Sequence, residues 1–296
     1  MKNLMLLINP NAGRESYRTG FGEVLRIFHE AGYLTTVFFT DGPGDAVRLT
    51  AENAQKFERV VCVGGDGTLS ETISGLMQCP TRPPLGYLPM GTANDCASTL
   101  GLSRNPITAA RTAAYGRALD LDVGRFGDNG YFSYVAAFGA FTEVSYETPH
   151  EQKQALGHLA YVLWGMAALG RLTHRWAKVE YDGGVLKDDF IFGGVTNSTS
   201  LAGLVKLPAA AGVELSDGLF EVVLVKNPAG PAQAGAVITD VLNSNLHGEY
   251  VTLLHSRKVR FVFDEPAPWT RDGEAGGIYS DLTLENIHTP IKILVD

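Results

Sequence analysis

Asp66 lies inside a glycine cluster, "VCVGGDGTLSETISG" (61–75), where an apolar run gives way to Gly64, Gly65 and Gly67 and then to a helix-period segment. Glycine is conformationally costly unless something must come close to the backbone. Without a Cβ the chain admits an anion, and the N–H groups and dipole of a helix start favour phosphate. A carboxylate in that place repels phosphate unless it holds a magnesium ion or its waters. A magnesium nucleotide meets these demands together; so does a plain strand–helix turn with Asp66 as its N-cap. Two further turns have the same character. "NPNAG" (9–13) sets Asn9 and Asn11, both able to hydrogen-bond phosphate, ahead of Gly13, and "PMGTAND" (89–95) sets Thr92, Asn94 and Asp95 at a helix start. One such turn is commonly a cap, whereas three at one sheet edge point to a nucleotide. No G-x-x-x-x-G-K-[ST] occurs and no G-x-G-x-x-G follows the first strand, which argues against a Walker-type enzyme and a dinucleotide dehydrogenase.

The elements around these turns alternate. "LMLLINP" (4–10), "LTTVFFT" (34–40), "RVVCVGG" (59–65) and "LGYLP" (85–89) read as strands, with helix-period segments near 15–31, 43–56 and 68–78. That order predicts a mainly parallel sheet covered on both faces, with ligands beyond the C-terminal strand ends. After about residue 122 the texture becomes strand-rich: 131–139, 176–182, 189–197, 219–225, 251–263, 281–285 and 291–295, interrupted by helical patterns near 151–172 and 230–243. The expected organisation is an α/β domain over 1–122 and a second, mainly antiparallel β-rich domain over 123–296, a sandwich or barrel, with a return of the last strand to the first domain left open. The turn-rich "FGDNGY" (126–131) marks a hinge near the boundary.

Composition sets bounds. The 296 residues are enough for two domains, and a net charge of −8 argues against a general nucleic-acid binder. Three cysteines, Cys62, Cys79 and Cys96, without C-x-x-C spacing suggest a reducing compartment and no zinc site. "MKNLMLLIN" is too short for a signal peptide and reads as a buried first strand. No run approaches the ~20 apolar residues of a membrane span, so the expected location is cytoplasmic.

"NPNAG", "GGDGTLSE", "PMGTANDCA" and "RDGEAGG" (271–277) together resemble the diacylglycerol kinase catalytic family, most of all the soluble bacterial enzymes of Gram-positive type; "GAFTEVSYETP" (139–149) and "SDGLFEVVLV" (216–225) extend the resemblance nearly end to end. GGDG alone is shared with NAD kinases and phosphofructokinases; PMGTAND with a distant DGE is more specific. The resemblance implies a Rossmann-like ATP-binding domain, a β-rich lipid-substrate domain, an active site in the cleft between them, and transfer of the γ-phosphate of ATP to diacylglycerol, giving phosphatidic acid. It implies nucleotide contacts from Asn9, Pro10, Asn11, Ala12, Gly13, Thr40, Gly65, Asp66, Gly67, Thr68, Leu69, Ser70, Glu71 and Thr92. Asp66 and Asp95 would order magnesium and its waters, and Asp272 would be the general base that takes the acceptor's proton, with Glu274 near it. A structural Mg²⁺ is implied at the carbonyls of Glu214 and Leu219 and the side chain of Asp217. The local sequence alone reads "RDGE" and "ELSDGL" equally as Asp-Gly turns. The family also implies a homodimer that associates peripherally with the inner face of the membrane.

"LGHLAYVLWGMAALGRLTHRWAK" (156–178) has apolar residues near helical spacing and ends in Arg171, His174, Arg175, Trp176 and Lys178. Such an end suits lipid headgroups; a core-packing helix with a basic last turn fits the same residues. Two other functions stay open: a kinase of another lipid alcohol, such as a sphingoid base, and a non-catalytic nucleotide-sensing module.

Overall fold

Leu4 to Ile8 are all fully buried. They form β1 (Lys2–Ile8), which pairs in parallel with β2 (Tyr33–Phe39) on one edge and β3 (Arg59–Gly64) on the other. An interior parallel strand with apolar cover on both faces has no place for alternating polar residues, and "LMLLI" supplies none. β3 continues to β4 (Leu85–Pro89), again in parallel. The connections are α1 (Phe21–Glu30), α2 (Asp45–Asn53) with a 3₁₀ turn at Ala54–Lys56, and α3 (Asp66–Met77). Two more helices follow, the short α4 (Asp95–Thr99) and α5 (Pro106–Tyr115). Leu4, Leu6, Ile8, Val61, Val63 and Leu88 pack with Val24, Ile27 and Phe28 of α1 and the alanines of α5 on one face.

The computed structural model describes the chain outside 13–19, 93, 129, 140–172, 202–204, 208–212, 243–244 and 247. It is a mixed α/β, strand-rich protein that divides into two units, Met1–Val123 with Ile287–Asp296, and Gly124–Asn286. β5 (Arg117–Phe126) leads from the first into the second. There it forms a hairpin with β6 (Gly130–Phe132), so "FGDNGY" belongs to a hairpin that follows the boundary between the units at Val123 and Gly124. The region expected as one strand at 131–139 is broken: β7 (Val135–Gly139) pairs elsewhere.

The second unit is antiparallel. It holds β8 (Arg175–Tyr181), β9 (Gly184–Thr196), the short ladder β10 (Ser200–Leu201) and β11 (Val205–Lys206), β12 (Phe220–Lys226), β13 (Val251–Ser256) and β14 (Lys258–Arg271). α6 (Pro231–Leu242) lies between β12 and β13. β7 and β8 pair in succession with the same two long strands, β9 and β14, and so fill one position end to end. Trp269 is fully buried, with the rings of Phe126, Phe138, Phe261 and Phe263 at 5.0 to 6.2 Å. Such edge and tilted ring contacts add to their area burial. The segment 251–263 is two strands broken at Arg257, whereas 281–285 and 291–295 are parts of one, β15 (Glu274–Val295). β15 is antiparallel to β14 in the second unit and ends beside β4 in the first, where Ile293 faces Leu85.

The expected helix near 151–172 lies outside the described residues, as do Gly13 and most of 139–149. The basic residues after it are not a helix end. Arg175, Trp176 and Lys178 belong to β8, Lys178 pairs with Glu180, and His174 meets Asp189 at 2.9 Å. Trp176 is half-exposed, but the cations flanking it are engaged. Among the described residues no helix is long and apolar enough to cross a membrane.

Candidate functional site

The three glycine- and asparagine-rich turns follow β1, β3 and β4, at the C-terminal ends of adjacent parallel strands, and they are tied together. The Asn9 N–H donates to the Val63 carbonyl at 3.0 Å, and Asn9 Nδ2 donates to Thr68 Oγ1 at 3.0 Å. Asn9 Oδ1 accepts the Asn11 N–H at 3.0 Å, which closes the first turn on itself, while the bond to Thr68 ties it to the start of α3. Thr40, buried at the end of β2, donates its N–H to the Ile8 carbonyl at 3.0 Å. The Met90 N–H donates to the Gly64 carbonyl at 2.7 Å, joining the second turn to the third.

Two glycines have a reason beyond anion access. A Cβ on Gly91 would lie 2.7 Å from Gly65 Cα and 2.9 Å from Asn94 Oδ1. The turns therefore touch backbone to backbone; position 91 admits only glycine, and a Cβ on Gly65 would press on Gly91 Cα at 3.3 Å. Gly91→Ala is expected to destabilise by about 1–3 kcal/mol through overpacking, lowering the melting temperature by several degrees. Thermal melting checks this, and an unchanged curve means that the contact relaxes freely.

α3 begins after Gly65, which is extended (φ −89°, ψ −175°) and offers no side-chain cap. Asp66 does not cap its own helix. Its Oδ2 accepts the Asp95 N–H at 3.1 Å and its Oδ1 the Cys96 N–H at 3.2 Å, so it caps the neighbouring α4. These are long bonds, and with Asp95 they put two carboxylate side chains at adjoining helix starts, a hard-oxygen set of the kind magnesium takes. Asn94 has a left-handed backbone (φ 52°), and its side chain turns back to the N–H and carbonyl of Gly91, which makes it a builder of the turn. Glu71 accepts the Gly44 and Ala46 N–H groups at 2.8 and 3.2 Å and so secures the start of α2. Leu69 and Thr68 are buried, Gly67 and Ser70 half-buried, and Pro10, Asn11 and Thr92 exposed.

Asp272 belongs to the second unit. Asp272 and Gly273 are the two central residues of the β14–β15 hairpin, with φ 48° and 84°. An Asp-Gly pair with both φ positive makes the turn whose twist matches its strands. Asp272 is nonetheless only 4% exposed. Its Oδ2 accepts the Ser133 N–H at 2.7 Å and the Ser133 hydroxyl at 2.9 Å, and its Oδ1 accepts the Tyr134 and Val135 N–H groups, both at 3.0 Å. Four donors match the four lone-pair sites of a carboxylate. Three are fixed amides; the Ser133 hydroxyl alone can rotate away. Glu274 is exposed beyond the turn.

At 214–219, Asp217 Oδ1 accepts the Leu219 N–H at 2.9 Å, the Asp-Gly turn the sequence allows. The Leu219 carbonyl accepts Asn286 Nδ2 at 3.0 Å and keeps a second lone pair. Glu214 and Asp217 are exposed. Close by, Glu221 is wholly buried, and neither carboxylate oxygen has a hydrogen-bond partner. Burial pushes its pKa up to about 8; its own main-chain N–H works against the rise, and the Asp217 charge adds to it. Asn286 Oδ1 is also buried and unbonded. Orphaned oxygens next to an aspartate and a main-chain carbonyl fit a hard cation.

Sequence reasoning passed over Glu221, Ser133 and Asp122. Asp122 is fully buried and accepts the Thr289 N–H at 2.6 Å and His288 Nδ1 at 3.1 Å. Its place in "ALDLDVG", an alternating strand, was the available signal, since a carboxylate at an inward position needs partners.

Residues 3–126 match the diacylglycerol kinase catalytic domain. A diacylglycerol kinase of Bacillus subtilis (strain 168) is 34% identical over 94% of this chain and 91% of its own length. That of Staphylococcus carnosus (strain TM300) is 32% identical over 93% and 90%. A crystal structure of a diacylglycerol kinase from Bacillus anthracis str. Sterne, 21% identical, covers all of this chain and 97% of its own with a TM-score of 0.75, which shows a shared fold.

Proposed function

The chain belongs to the diacylglycerol kinase family, and on that premise we propose how its residues divide the work. The protein is an ATP-dependent lipid kinase that transfers the γ-phosphoryl group to the hydroxyl of diacylglycerol, giving phosphatidic acid and ADP. We read the first unit as a Rossmann-like ATP-binding domain and the second as the lipid-substrate domain. The observation that carries the nucleotide site is the latching of three turns at adjacent parallel strand ends by the Asn9–Thr68 bond, the Gly65–Gly91 contact and the bonds from Asp66 to α4.

ATP phosphates lie at the uncapped start of α3, where N–H groups and the helix dipole favour negative charge. Asn9, Asn11 and Thr92 supply polar groups around them, and Glu71 keeps the start of α2 in place. Asp66 and Asp95 would hold magnesium and its waters, and the ion when bound would neutralise charge developing on the phosphates. The acceptor oxygen attacks the γ-phosphorus, the bond to the β-phosphate oxygen breaks, and ADP leaves. The hydroxyl proton goes to Asp272, which receives it once the Ser133 hydroxyl rotates off its Oδ2. Peripheral attachment to the inner membrane face and a homodimer belong to the same family reading. ATP-dependent labelling of diacylglycerol in mixed micelles with anionic lipid tests the activity: phosphatidic acid is expected, and its absence moves the acceptor to another lipid alcohol.

A structural cation would be held by the side chain of Asp217 and the carbonyls of Glu214 and Leu219. A ligand that binds only the folded state stabilises it by about 2.7 kcal/mol at a hundred times its Kd. Asp217→Ala is therefore expected to lower the melting temperature in magnesium and to reduce activity. Superimposable melting curves for wild type and variant, with and without magnesium, sink the structural site.

A further inference from the structure

Glu221 is the one carboxylate of the described residues that is buried with both oxygens unbonded, and the reading of the Asp217 site leaves it unused. It lies on β12 two residues beyond Leu219, and its cross-strand neighbours are Thr196 on β9 and His255 on β13. The Thr196 hydroxyl is turned to the Tyr134 carbonyl. Val223 and Val225, further along the same face, belong to an apolar cluster. A carboxylate so placed has lost its water and, its own main-chain N–H apart, has gained no donor, and a buried polar group without a partner is costly. Replacement by an apolar residue would remove that cost, so an unbonded acid here asks for an unseen partner with positive charge.

The surroundings supply the rest of a ligand set. Asp217 Oδ1 is held by the Leu219 N–H, which leaves its second oxygen to serve as a ligand. The Leu219 carbonyl is held on one side by Asn286 Nδ2, while Asn286 Oδ1 is buried and unbonded. Carboxylate, amide and main-chain oxygens with no nitrogen or sulfur donor among them suit a hard divalent ion. We propose that Glu221 supplies a second carboxylate, with Asn286 Oδ1 beside it, to the divalent cation held at Asp217 and Leu219. The site then carries two negative charges against the ion's two positive ones, and the ion secures the start of β12 and the β15 residue Asn286 together. The inference rests on the reading of 214–219 as a cation site.

Titration calorimetry and thermal melting with MgCl₂, in the absence of nucleotide, test it on the full chain. Asp66→Asn is measured in parallel to set aside magnesium bound at the nucleotide turns. Glu221→Gln keeps the shape and removes the charge. Without magnesium it is expected to melt at or above wild type; with magnesium it is expected to lose most of the rise in melting temperature, its affinity falling tenfold or more. Glu221→Asp keeps the charge one methylene further back and is expected to recover part of the rise. A Glu221→Gln titration like that of wild type overturns the proposal. If Asp217→Asn abolishes the rise while Glu221→Gln keeps it, the cation site stands and Glu221 is no ligand. If wild type and Asp66→Asn show no magnesium-dependent rise at all, the cation site fails and the role of Glu221 fails with it. Should Glu221→Gln not fold, Glu221→Asp decides, because magnesium affinity equal to wild type is incompatible with a withdrawn ligand.

Discussion

Asp272→Asn is expected to lower kcat by about 10²–10⁴-fold, the usual contribution of a positioned general base, while KM for ATP changes little. The turns assigned to the nucleotide all belong to the first unit, whereas Asp272 and each of its four donors belong to the second. A group that acts on the acceptor and is not a nucleotide ligand loses kcat without a matching rise in KM for ATP. The substitution also acts on the fold. An asparagine must turn its NH₂ toward either the Ser133 pair or the Tyr134 and Val135 amides, setting donor against donor. An unsatisfied buried donor costs about 1–3 kcal/mol, so the melting temperature is expected to fall as well. Activity is therefore compared well below the variant's own melting point. A kcat near wild type there, or a loss confined to KM for ATP, assigns Asp272 to the hairpin alone and sends the search for a base to Asp95 or Glu274.

The parallel strands were legible because burial on both faces leaves an unbroken apolar run: "LGYLP" coincides with β4, and the other three differ from their elements by a residue or two. The turns between them were legible because a strand–turn–helix junction needs glycine and polar caps. α5 was missed although Asn105 caps it and Pro106 opens it, because "PITAARTAAY" buries alanines and lacks the large apolar residues that reveal a helical period. In the sequence β15 reads as two strands because "NIHTP" looks like a turn. Thr289 does take a left-handed backbone there, φ 48°, but the Asp122 carboxylate holds its N–H and the strand runs on. The polar interior was not legible. The surroundings of Asp272 come from residues 133–135, and those of Glu221 from β9 and β13; pairing sets both, and a linear pattern does not carry pairing. Glu71 shows the complementary case: the motif suggests a nucleotide contact, and its carboxylate is bonded to two amides of the α2 start.

Asp66→Asn separates two roles that the same carboxylate performs in principle. As a cap, Asp66 accepts the Asp95 and Cys96 N–H groups at 3.1 and 3.2 Å. Asparagine caps helices about as well as aspartate, and it can still accept one of these bonds. The variant is therefore expected to fold normally, with a stability change of about 1 kcal/mol or less. As the group that holds magnesium, Asp66 acts through its charge, which asparagine lacks. A metal ion stabilises transition-state charge by several kcal/mol, and each 1.36 kcal/mol is about tenfold in rate. Turnover is accordingly expected to fall by about two orders of magnitude or more, partly recovered by raising magnesium, with the melting curve nearly unmoved. The alternative has a different signature. If Asp66 only secures α4, turnover stays near wild type at every magnesium concentration, and the glycine cluster around it serves the backbone contact with Gly91 and not a metal nucleotide.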